Sequence, residues 1–251
     1  MNQRFISIAE AGLKIQNPFS EAKMQALGEI CQRLGYLQPR RRLLDLGCGQ
    51  GELVCRWAQQ FGVKATGVDP NAEFIEVARR RAIELAVTLQ VEFIQVDAVQ
   101  FPLSHPYYDM VCCLGAAEIT GSITYAIHLM RKALKDEKQG LLLVGMPFWV
   151  REPNQTAADA MGITMGTFQT LPVIYDLFER SGVDLVNMVF ADDEGWDRYQ
   201  THHWMQVRSW LRNNPDDPDI ENFRKMIEDW KRSYLVYRGN FGWGVFLLET
   251  R

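Results

Sequence analysis

The sequence predicts an α/β fold in which a doubly wound, mostly parallel sheet of seven strands carries helices on both faces. Short apolar runs alternate with helical patterns over residues 42–146, which is typical of parallel strands joined by crossover helices. Residues 43–51 read LLDLGCGQG, and residues 67–70 read GVDP. Such a pattern indicates a buried strand, a glycine turn, a helix start and a second strand that ends in an acid.

The helices of the first half are delimited by capping residues. Ser20 is a favourable N-cap for the first helix, which ends at Gly35. The second helix is predicted to begin near Glu52, and Asn71 is predicted to cap the third. A fourth helix is expected over about residues 122–135. The strands between these helices are predicted at 42–46, 64–68, 91–95, 109–114 and 140–146.

The pattern changes after the fifth strand. Residues 150–169 lack a clear period and indicate a loop with a short helix. Thr170 is then a candidate N-cap for a helix that has Pro172 in its first turn. A sixth strand is predicted at 184–190 and a closing strand at 243–249.

Residues 191–242 separate the last two strands and are too long for a hairpin loop. We interpret them as a helical lid over the carboxyl ends of the strands, inserted into a domain formed by residues 1–190 and 243–251. We expect this lid to have no core of its own. Asp217-Pro218 supplies a cap and a proline for the start of its second helix. Two helical stripes define the lid: Trp196, Tyr199, His203, Val207 and Trp210, then Ile220, Phe223, Ile227, Trp230, Tyr234 and Tyr237.

The glycine turn favours a ligand without phosphate. A dinucleotide fingerprint requires glycine at position 52, where this chain has Glu52. Asp45 and Glu52 would both repel a pyrophosphate at the helix N-terminus. S-adenosylmethionine (SAM) instead carries an ammonium and a sulfonium, which favour a nearby carboxylate. Asp69 follows the turn by about 20 residues, as expected of an acid that binds ribose hydroxyls. The alternative is a helix-capping turn without a ligand.

Four segments carry a resemblance to a known family. Residues 45–51 (DLGCGQG) resemble the first motif of the class I SAM-dependent methyltransferases, and residues 67–70 resemble the second. Residues 91–98 (VEFIQVDA) are similar to the third motif, and residues 109–115 (DMVCCLG) to the fourth strand. The resemblance implies a Rossmann-like methyltransferase fold whose closing strand lies antiparallel between the fifth and sixth strands.

Three further segments extend this resemblance over nearly the whole chain. Residues 17–20 (NPFS), 194–199 (EGWDRY) and 242–246 (GWGVF) are similar to a branch of bacterial small-molecule methyltransferases of unassigned substrate. Asn17 and Phe19 would then fold over the cofactor, and a plain turn before the first helix is the equal alternative.

The resemblance also implies which residues hold SAM. The first motif would surround the methionine part, the second the ribose and the third the adenine, and the end of the fourth strand would run beneath the sulfonium. The implied cofactor-binding residues are, in that order, Asp45, Gly47, Gly49 and Gly51, then Asp69 and Pro70, then Asp97 and Ala98, then Leu114 and Gly115.

Aromatic residues in and beside the insertion are the main indication of the methyl acceptor. Trp149, Trp196 and Trp243 are predicted to enclose a cation or a flat apolar acceptor. The alternative for each ring is that it packs the lid onto the sheet. Glu194 and Tyr199 are the candidate catalytic residues that would orient or deprotonate an acceptor. A solvated loop acid is the alternative for Glu194.

Composition limits partners and location. The net charge is −4 and there is no basic tail, so nothing favours nucleic acid. No apolar run reaches the length of a membrane span, and the start lacks a signal-peptide pattern. Five cysteines without paired spacing indicate reduced thiols in a cytoplasmic protein. No Asp–Asn pair stands at the strand ends, so we expect no metal. The oligomeric state is not specified by the sequence.

Taken together, these patterns predict a SAM-dependent methyltransferase that acts on a small molecule. A nucleotide-dependent oxidoreductase is the first alternative, and Glu52 argues against it. A protein that binds SAM without transferring its methyl group is the second. A macromolecular methyltransferase is the third, and the acidic balance and the covered pocket argue against it.

Overall fold

A computed structural model describes residues 2–102, 107–115 and 121–251. These residues form one seven-stranded sheet in the order β3-β2-β1-β4-β5-β7-β6. Strands β1 to β5 run parallel to one another, and β7 runs antiparallel to β6. The predicted fold class and the place of the closing strand are therefore confirmed. The strands are β1 (Arg42–Leu46), β2 (Lys64–Asp69), β3 (Val91–Gln95), β4 (Met110–Leu114), β5 (Leu141–Trp149), β6 (Val183–Phe190) and β7 (Phe241–Thr250).

Helices connect the strands and make up most of the insertion at residues 191–242. Asn71 caps the helix after β2 as predicted, because its side chain accepts hydrogen bonds from the N–H groups of Glu73 and Phe74. The helices within the described ranges are α1 (Gln3–Ala9), α2 (Glu21–Arg33), α3 (Glu52–Phe61), α4 (Ala72–Glu84), α5 (Ile123–Ala133), α6 (Gln155–Met161), α7 (Leu171–Arg180), α8 (Asp193–Asn213) and α9 (Ile220–Tyr237).

The chain divides into two compact units. The sheet unit comprises Glu21–Pro147, Pro172–Phe190 and Trp243–Arg251. The helical unit contains the predicted insertion, Ala191–Gly242, and adds two segments for which the sequence predicts a place in the sheet domain. Those segments are Met1–Ser20 and Phe148–Leu171.

The helical unit begins with a helix that sequence patterns did not predict. The Asn2 side chain accepts a hydrogen bond from the Phe5 N–H and so caps α1. Phe5 and Ala9 are buried one turn apart on α1, and they pack against Val207 of α8 and Phe223 of α9. Helices α8 and α9 therefore share an apolar cluster with the start of the chain.

A second apolar cluster joins the inserted helices to the segment after β5. Trp149 lies at its centre, 1% exposed, and its ring centroid is 4.2 Å from that of Phe241. The predicted helical stripes are confirmed, since five of their eleven residues are buried in these two clusters and three more pack against them. The other buried members of the second cluster are Ala157, Ala158, Phe168, Tyr234 and Tyr237.

The start of α9 differs from the prediction. The helix begins at Ile220, and Asp217-Pro218 lies in the preceding turn. The Asp217 carboxylate accepts hydrogen bonds from the Arg4 guanidinium and the Asp219 N–H. Because these bonds hold Asp217 in the turn, its side chain does not cap the helix.

Candidate cofactor site

Backbone hydrogen bonds fix the glycine turn against the end of β2. The N–H groups of Gly47 and Cys48 both donate to the Val68 carbonyl, each at 2.9 Å. Gly47, Gly49 and Gly51 all have positive φ, at 75°, 52° and 72°. Only glycine adopts these angles without strain, which explains the alternating pattern of the motif. The three predicted glycines thus form one tight turn that leads into α3.

Asp69 joins this turn to the next loop. Its side chain accepts hydrogen bonds from the Gly49 N–H at 3.0 Å and from the Asn71 N–H at 2.9 Å. An ionised carboxylate offers about four acceptor positions, so two remain free. Asp69 therefore has the capacity to accept two ribose hydroxyls while it orders the loop. Pro70 follows directly at the carboxyl end of β2.

Asp45 is buried at the same edge of the sheet, and its Oδ1 atom has no hydrogen-bond partner among the described residues. The residue is 4% exposed and its Oδ1 atom is fully buried. Burial, and secondarily the Asp69 charge, raises the pKa of Asp45 to about 7. An orphaned buried carboxyl beside a glycine turn is well suited to a cationic ligand, because such a ligand would supply the missing counter-charge. The site therefore fits the ammonium-bearing end of SAM.

Glu52 is also buried, but its charge is neutralised. The Glu52 carboxylate accepts hydrogen bonds from the Arg81 Nε at 2.7 Å and from the Arg56 guanidinium. Burial raises the pKa of Glu52, and the bonds from Arg81 and then Arg56 outweigh this effect, so that the pKa is lowered overall. Glu52 therefore contributes little negative electrostatic potential at the glycine turn. The electrostatic argument against a pyrophosphate therefore does not extend to Glu52.

The predicted adenine residues lie in the turn after β3. The Asp97 side chain accepts a hydrogen bond from the Val99 N–H at 2.8 Å, so that one carboxylate oxygen orders the turn. Asp97 and Ala98 are both partly exposed. Asp97 retains acceptor positions for an adenine amino group.

The end of β4 is tied to β5. The Gly115 N–H donates to the Gly145 carbonyl at 3.0 Å, and Leu114 pairs with Gly145 in the parallel register. Gly115 has a φ of 92°, where a side chain would be strained. The backbone at Leu114 and Gly115 therefore makes a glycine turn at the carboxyl edge of the sheet.

Trp243 covers a glycine beside this turn. A Cβ atom placed on Gly145 would come within 3.0 Å of the Trp243 ring and 2.9 Å of the Leu114 Cα. Sheet register places the Trp243 ring on the same face as Asp45, because Asp45 pairs with Cys112, two residues before Leu114. Gly145 was not predicted as a site residue. A glycine inside a strand pattern was the available signal, since it often marks a close approach.

In the helical unit, Asn17 and Phe19 form a turn. The Asn17 side chain accepts a hydrogen bond from the Phe19 N–H at 3.0 Å. The Arg198 guanidinium donates to the Phe19 carbonyl at 3.0 Å. A Cβ atom on Gly195 would lie 2.5 Å from the Pro18 carbonyl oxygen, so glycine allows this turn to approach α8. The contacts support the turn interpretation of Asn17, and a cofactor contact stays a prediction.

The two catalytic candidates differ in environment. Glu194 is exposed in the first turn of α8. The Tyr199 hydroxyl donates a long 3.5 Å hydrogen bond to the Gln16 carbonyl. Burial, then the charge of Glu10, raises the pKa of Tyr199. Tyr199 is therefore protonated at neutral pH and suited to donate a hydrogen bond. Glu10, which lies 189 positions away in sequence, was not predicted as its neighbour.

Two predicted substrate residues pack in the interior of the helical unit. The Trp149 indole N–H donates to the Met165 carbonyl at 3.1 Å, so this ring is both buried and satisfied. Trp196 packs against the same cluster, and its indole nitrogen is buried without a hydrogen-bond partner in the described part of the chain. These surroundings favour a packing role for Trp149.

His203 is the histidine whose ring contacts Tyr199. Burial, followed by the charge of His202, lowers the pKa of His203 to about 4. The His203 ring stacks on Trp230 at 4.9 Å and meets the Tyr199 ring edge-on at 4.6 Å. His203 is consequently neutral at pH 7 and packs as an aromatic ring.

Residues 2–102, 107–115 and 121–251 offer neither a metal cluster nor a membrane helix. Over these ranges, no group of three or more His, Cys, Asp and Glu side chains is placed to hold a metal ion. None of the helices in the same ranges is long and apolar enough to cross a bilayer. The absence of a metal cofactor stays a prediction.

Comparisons with known proteins agree with this geometry. A family model described as a methyltransferase domain matches residues 43–137. The chain is 39% identical to the Escherichia coli (strain K12) protein YjhP, over 99% of this chain and 98% of that protein. A crystal structure of a SAM-dependent methyltransferase from Geobacter sulfurreducens, bound to S-adenosylhomocysteine, is similar with a TM-score of 0.90. That protein is 36% identical, over 99% of this chain and 98% of that one.

A second solved structure is equally similar. The SAM-dependent methyltransferase from Thiobacillus denitrificans, also bound to S-adenosylhomocysteine, has a TM-score of 0.90 and 37% identity. The match covers 99% of this chain and 98% of that chain.

Proposed function

This chain belongs to the SAM-dependent methyltransferases, and on that premise we propose that its methyl acceptor is a small molecule. The buried Asp45 carboxyl at the glycine turn, whose Oδ1 has no hydrogen-bond partner among the described residues, is the observation that carries the cofactor assignment, because a cationic ligand would stabilise its ionised form. The net charge of −4 supports a small acceptor over nucleic acid.

We assign the cofactor contacts as the sequence predicted them. SAM supplies a methyl group already activated on a positively charged sulfur. The chain's task is to hold the reactants in line and exclude water, which can contribute about 7–11 kcal/mol in well-ordered cases. The proposed cofactor residues are Asp45, Gly47, Gly49 and Gly51 at the methionine part, Asp69 and Pro70 at the ribose, Asp97 and Ala98 at the adenine, and Leu114 and Gly115 beneath the sulfonium.

Trp243 and Tyr199 are the residues that we assign to the acceptor. Trp243 lies beside Leu114, where its ring offers a flat apolar wall. Tyr199 would orient the acceptor by donating a hydrogen bond, because the raised pKa of its hydroxyl excludes a role as base at neutral pH. Glu194 and Trp196 stay secondary candidates for the acceptor, together with Asn17 and Phe19 for the cofactor.

A panel of small acceptors tests the proposed function. Amines, phenols, thiols and carboxylates would each be incubated with the protein and SAM, and S-adenosylhomocysteine formation would be measured. Turnover with at least one class is expected. No turnover with any class, despite SAM binding, would favour a protein that binds SAM without catalysis. Turnover only with protein or nucleic acid would reject a small acceptor.

Asp69→Ala is expected to weaken SAM binding by about 1–3 kcal/mol, because two buried ribose hydroxyls lose their acceptor. Isothermal titration calorimetry measures this change. Glu92→Ala is a matched control, since Glu92 is exposed on the neighbouring strand β3. Equal affinity of the Asp69 and Glu92 variants would reject the ribose assignment.

Tyr199→Phe is expected to lower kcat/KM for the acceptor about 3–10-fold, since one hydrogen bond contributes about 1 kcal/mol. SAM affinity should stay unchanged. Tyr175→Phe on the surface of α7 is the control, because Tyr175 is exposed. A shift in the pH profile of kcat instead of a uniform loss would show that Tyr199 titrates, contrary to its role as a donor.

A cytoplasmic location is also proposed. All five cysteines are free, and burial raises the pKa of Cys31 to about 12, which keeps this thiol unreactive. Free, inert thiols are typical of a reducing compartment. Mass spectrometry of the protein from cell extracts, alkylated before lysis, would test this through the number of free thiols.

A further inference from the structure

Asp45 occupies a position in β1 where its carboxyl is enclosed by the sheet. Its register neighbours are Gly67 on β2 and Cys112 on β4. Oδ1 is fully buried and accepts no hydrogen bond from the residues that the structure describes. Because this oxygen has neither solvent nor a partner among those residues, ionisation of the carboxyl is unfavourable by an energy on the order of several kcal/mol.

The groups that face Asp45 include no cation within the described ranges. Cys112 faces it from β4 and Cys48 from the glycine turn, and burial raises the pKa of both thiols, so they are neutral. Cys31 on α2 faces Cys112 and is neutral for the same reason. The remaining charge is the carboxylate of Asp69.

The two carboxyls of this site are unequally supported. Asp69 accepts hydrogen bonds from two backbone N–H groups, those of Gly49 and Asn71. The buried Oδ1 atom of Asp45 accepts none from the part of the chain that the structure describes. When two carboxyls share a site, ionisation of both is unfavourable, and the one without hydrogen bonds retains its proton. The unequal geometry thus selects Asp45 as the protonated member.

We propose that Asp45 is a neutral acid in the ligand-free protein and that the amino-acid end of SAM displaces its proton. The ligand's ammonium would take the proton's place beside a newly ionised carboxylate, and the proton would pass to the buffer. The ammonium replaces the proton as the positive charge beside Asp45, and the complex holds one proton fewer than the separate protein and ligand. The proposal rests on the proposed function, since it takes SAM as the ligand.

Proton exchange makes ligand affinity depend on pH in a defined direction. The pKa of Asp45 is about 7 without ligand, and an ammonium partner would lower it. Affinity is therefore greatest above pH 7 and falls as pH drops through that value, by about tenfold per pH unit. The ligand's own α-amino group loses its charge above about pH 8, so affinity peaks between these values.

Calorimetry in buffers of different ionisation enthalpy counts the displaced protons. S-adenosylhomocysteine, which has the same amino-acid end, would be titrated at pH 6.0 in phosphate, MES and imidazole buffers and at pH 8.0 in phosphate, HEPES and Tris buffers. At pH 6.0 we expect release of about 0.9 protons per ligand, and at pH 8.0 about 0.1 from Asp45, given a pKa of about 7.

Two controls test whether the released proton comes from Asp45. 5′-Deoxy-5′-methylthioadenosine lacks the amino-acid end, and we expect it to bind without proton release at pH 6.0. Asp45→Asn should bind S-adenosylhomocysteine without proton release, with an unchanged urea midpoint as evidence of folding. If this variant is unfolded, the methylthioadenosine comparison on the wild-type protein still decides.

The outcomes separate this proposal from the function on which it rests. Binding of S-adenosylhomocysteine at pH 6.0 with no proton release would overturn the exchange and leave the cofactor assignment intact. Equal release by methylthioadenosine, or by a folded Asp45→Asn variant, would also overturn it. Absence of binding in every buffer would reject the cofactor assignment itself.

Discussion

Gly51→Ala is expected to lower the free energy of unfolding by about 2–5 kcal/mol and to abolish measurable SAM binding. Two effects add at this position. Gly51 has a φ of 72°, where a side chain is strained. An added Cβ would also lie 2.7 Å from the Ala78 Cβ and 2.7 Å from the Phe93 ring. Because α4 and β3 are packed around this point, relief of the clash must displace the glycine turn.

Gly162→Ala is the matched control for backbone strain. Gly162 has a φ of 74° at the end of α6, and a Cβ atom added there would meet no described atom within 4 Å. We expect this control to lose only about 1–2 kcal/mol. Urea denaturation measures both variants. Equal losses would show that crowding at the turn contributes nothing, and preserved SAM affinity in Gly51→Ala would contradict the placement of the ligand.

Glu52→Ala is expected to lower the free energy of unfolding by about 3–5 kcal/mol, because it leaves a partly buried cation without its partner. Glu52 is 5% exposed and the Arg81 side chain is 14% exposed, so solvent screens the pair weakly. Arg56 adds a second contact to the same carboxylate. The acid also lies in the first turn of α3, where the helix dipole favours it.

A control and a pH series separate this ion pair from a general effect of losing an acid. Glu84→Ala removes an Arg81 partner whose side chain is 60% exposed, and we expect it to lower the free energy of unfolding by at most about 1 kcal/mol. Because the pKa of Glu52 is lowered on folding, its contribution is present above about pH 4.5 and is lost as pH falls through the folded-state pKa. The difference between Glu52→Ala and wild type should therefore shrink in acid. A constant difference down to pH 3 would contradict the ionic explanation.

The sheet could be predicted from sequence because its signals are local. Strand β1 was predicted with its observed bounds, 42–46, since a short apolar run directly precedes the glycine turn. The glycine positions were informative for a backbone reason, because few residues other than glycine adopt positive φ. The helical stripes of α8 and α9 could be predicted because their residues recur at a fixed spacing along one helix.

Contacts between residues that are distant in sequence could not be predicted. Glu52 resembled a free acid near the turn, and only the packing of α3 on α4 brings Arg81 to it. Trp149 is predicted as a substrate residue because it follows the predicted fifth strand, and its contacts with Phe241 and Met165 were not visible in the sequence. The proximity of Glu10 to Tyr199 likewise depends on tertiary contacts. Polarity and aromatic character alone do not distinguish a packed residue from one that binds a ligand.

A crystal structure with S-adenosylhomocysteine tests the ligand placement most directly. We expect both ribose hydroxyl oxygens within about 3.2 Å of the Asp69 carboxylate and the ligand's ammonium nitrogen beside Asp45. A nucleoside whose ribose lies away from Asp69, with its amino-acid end remote from the turn at Gly47 to Gly51, would contradict the assignment.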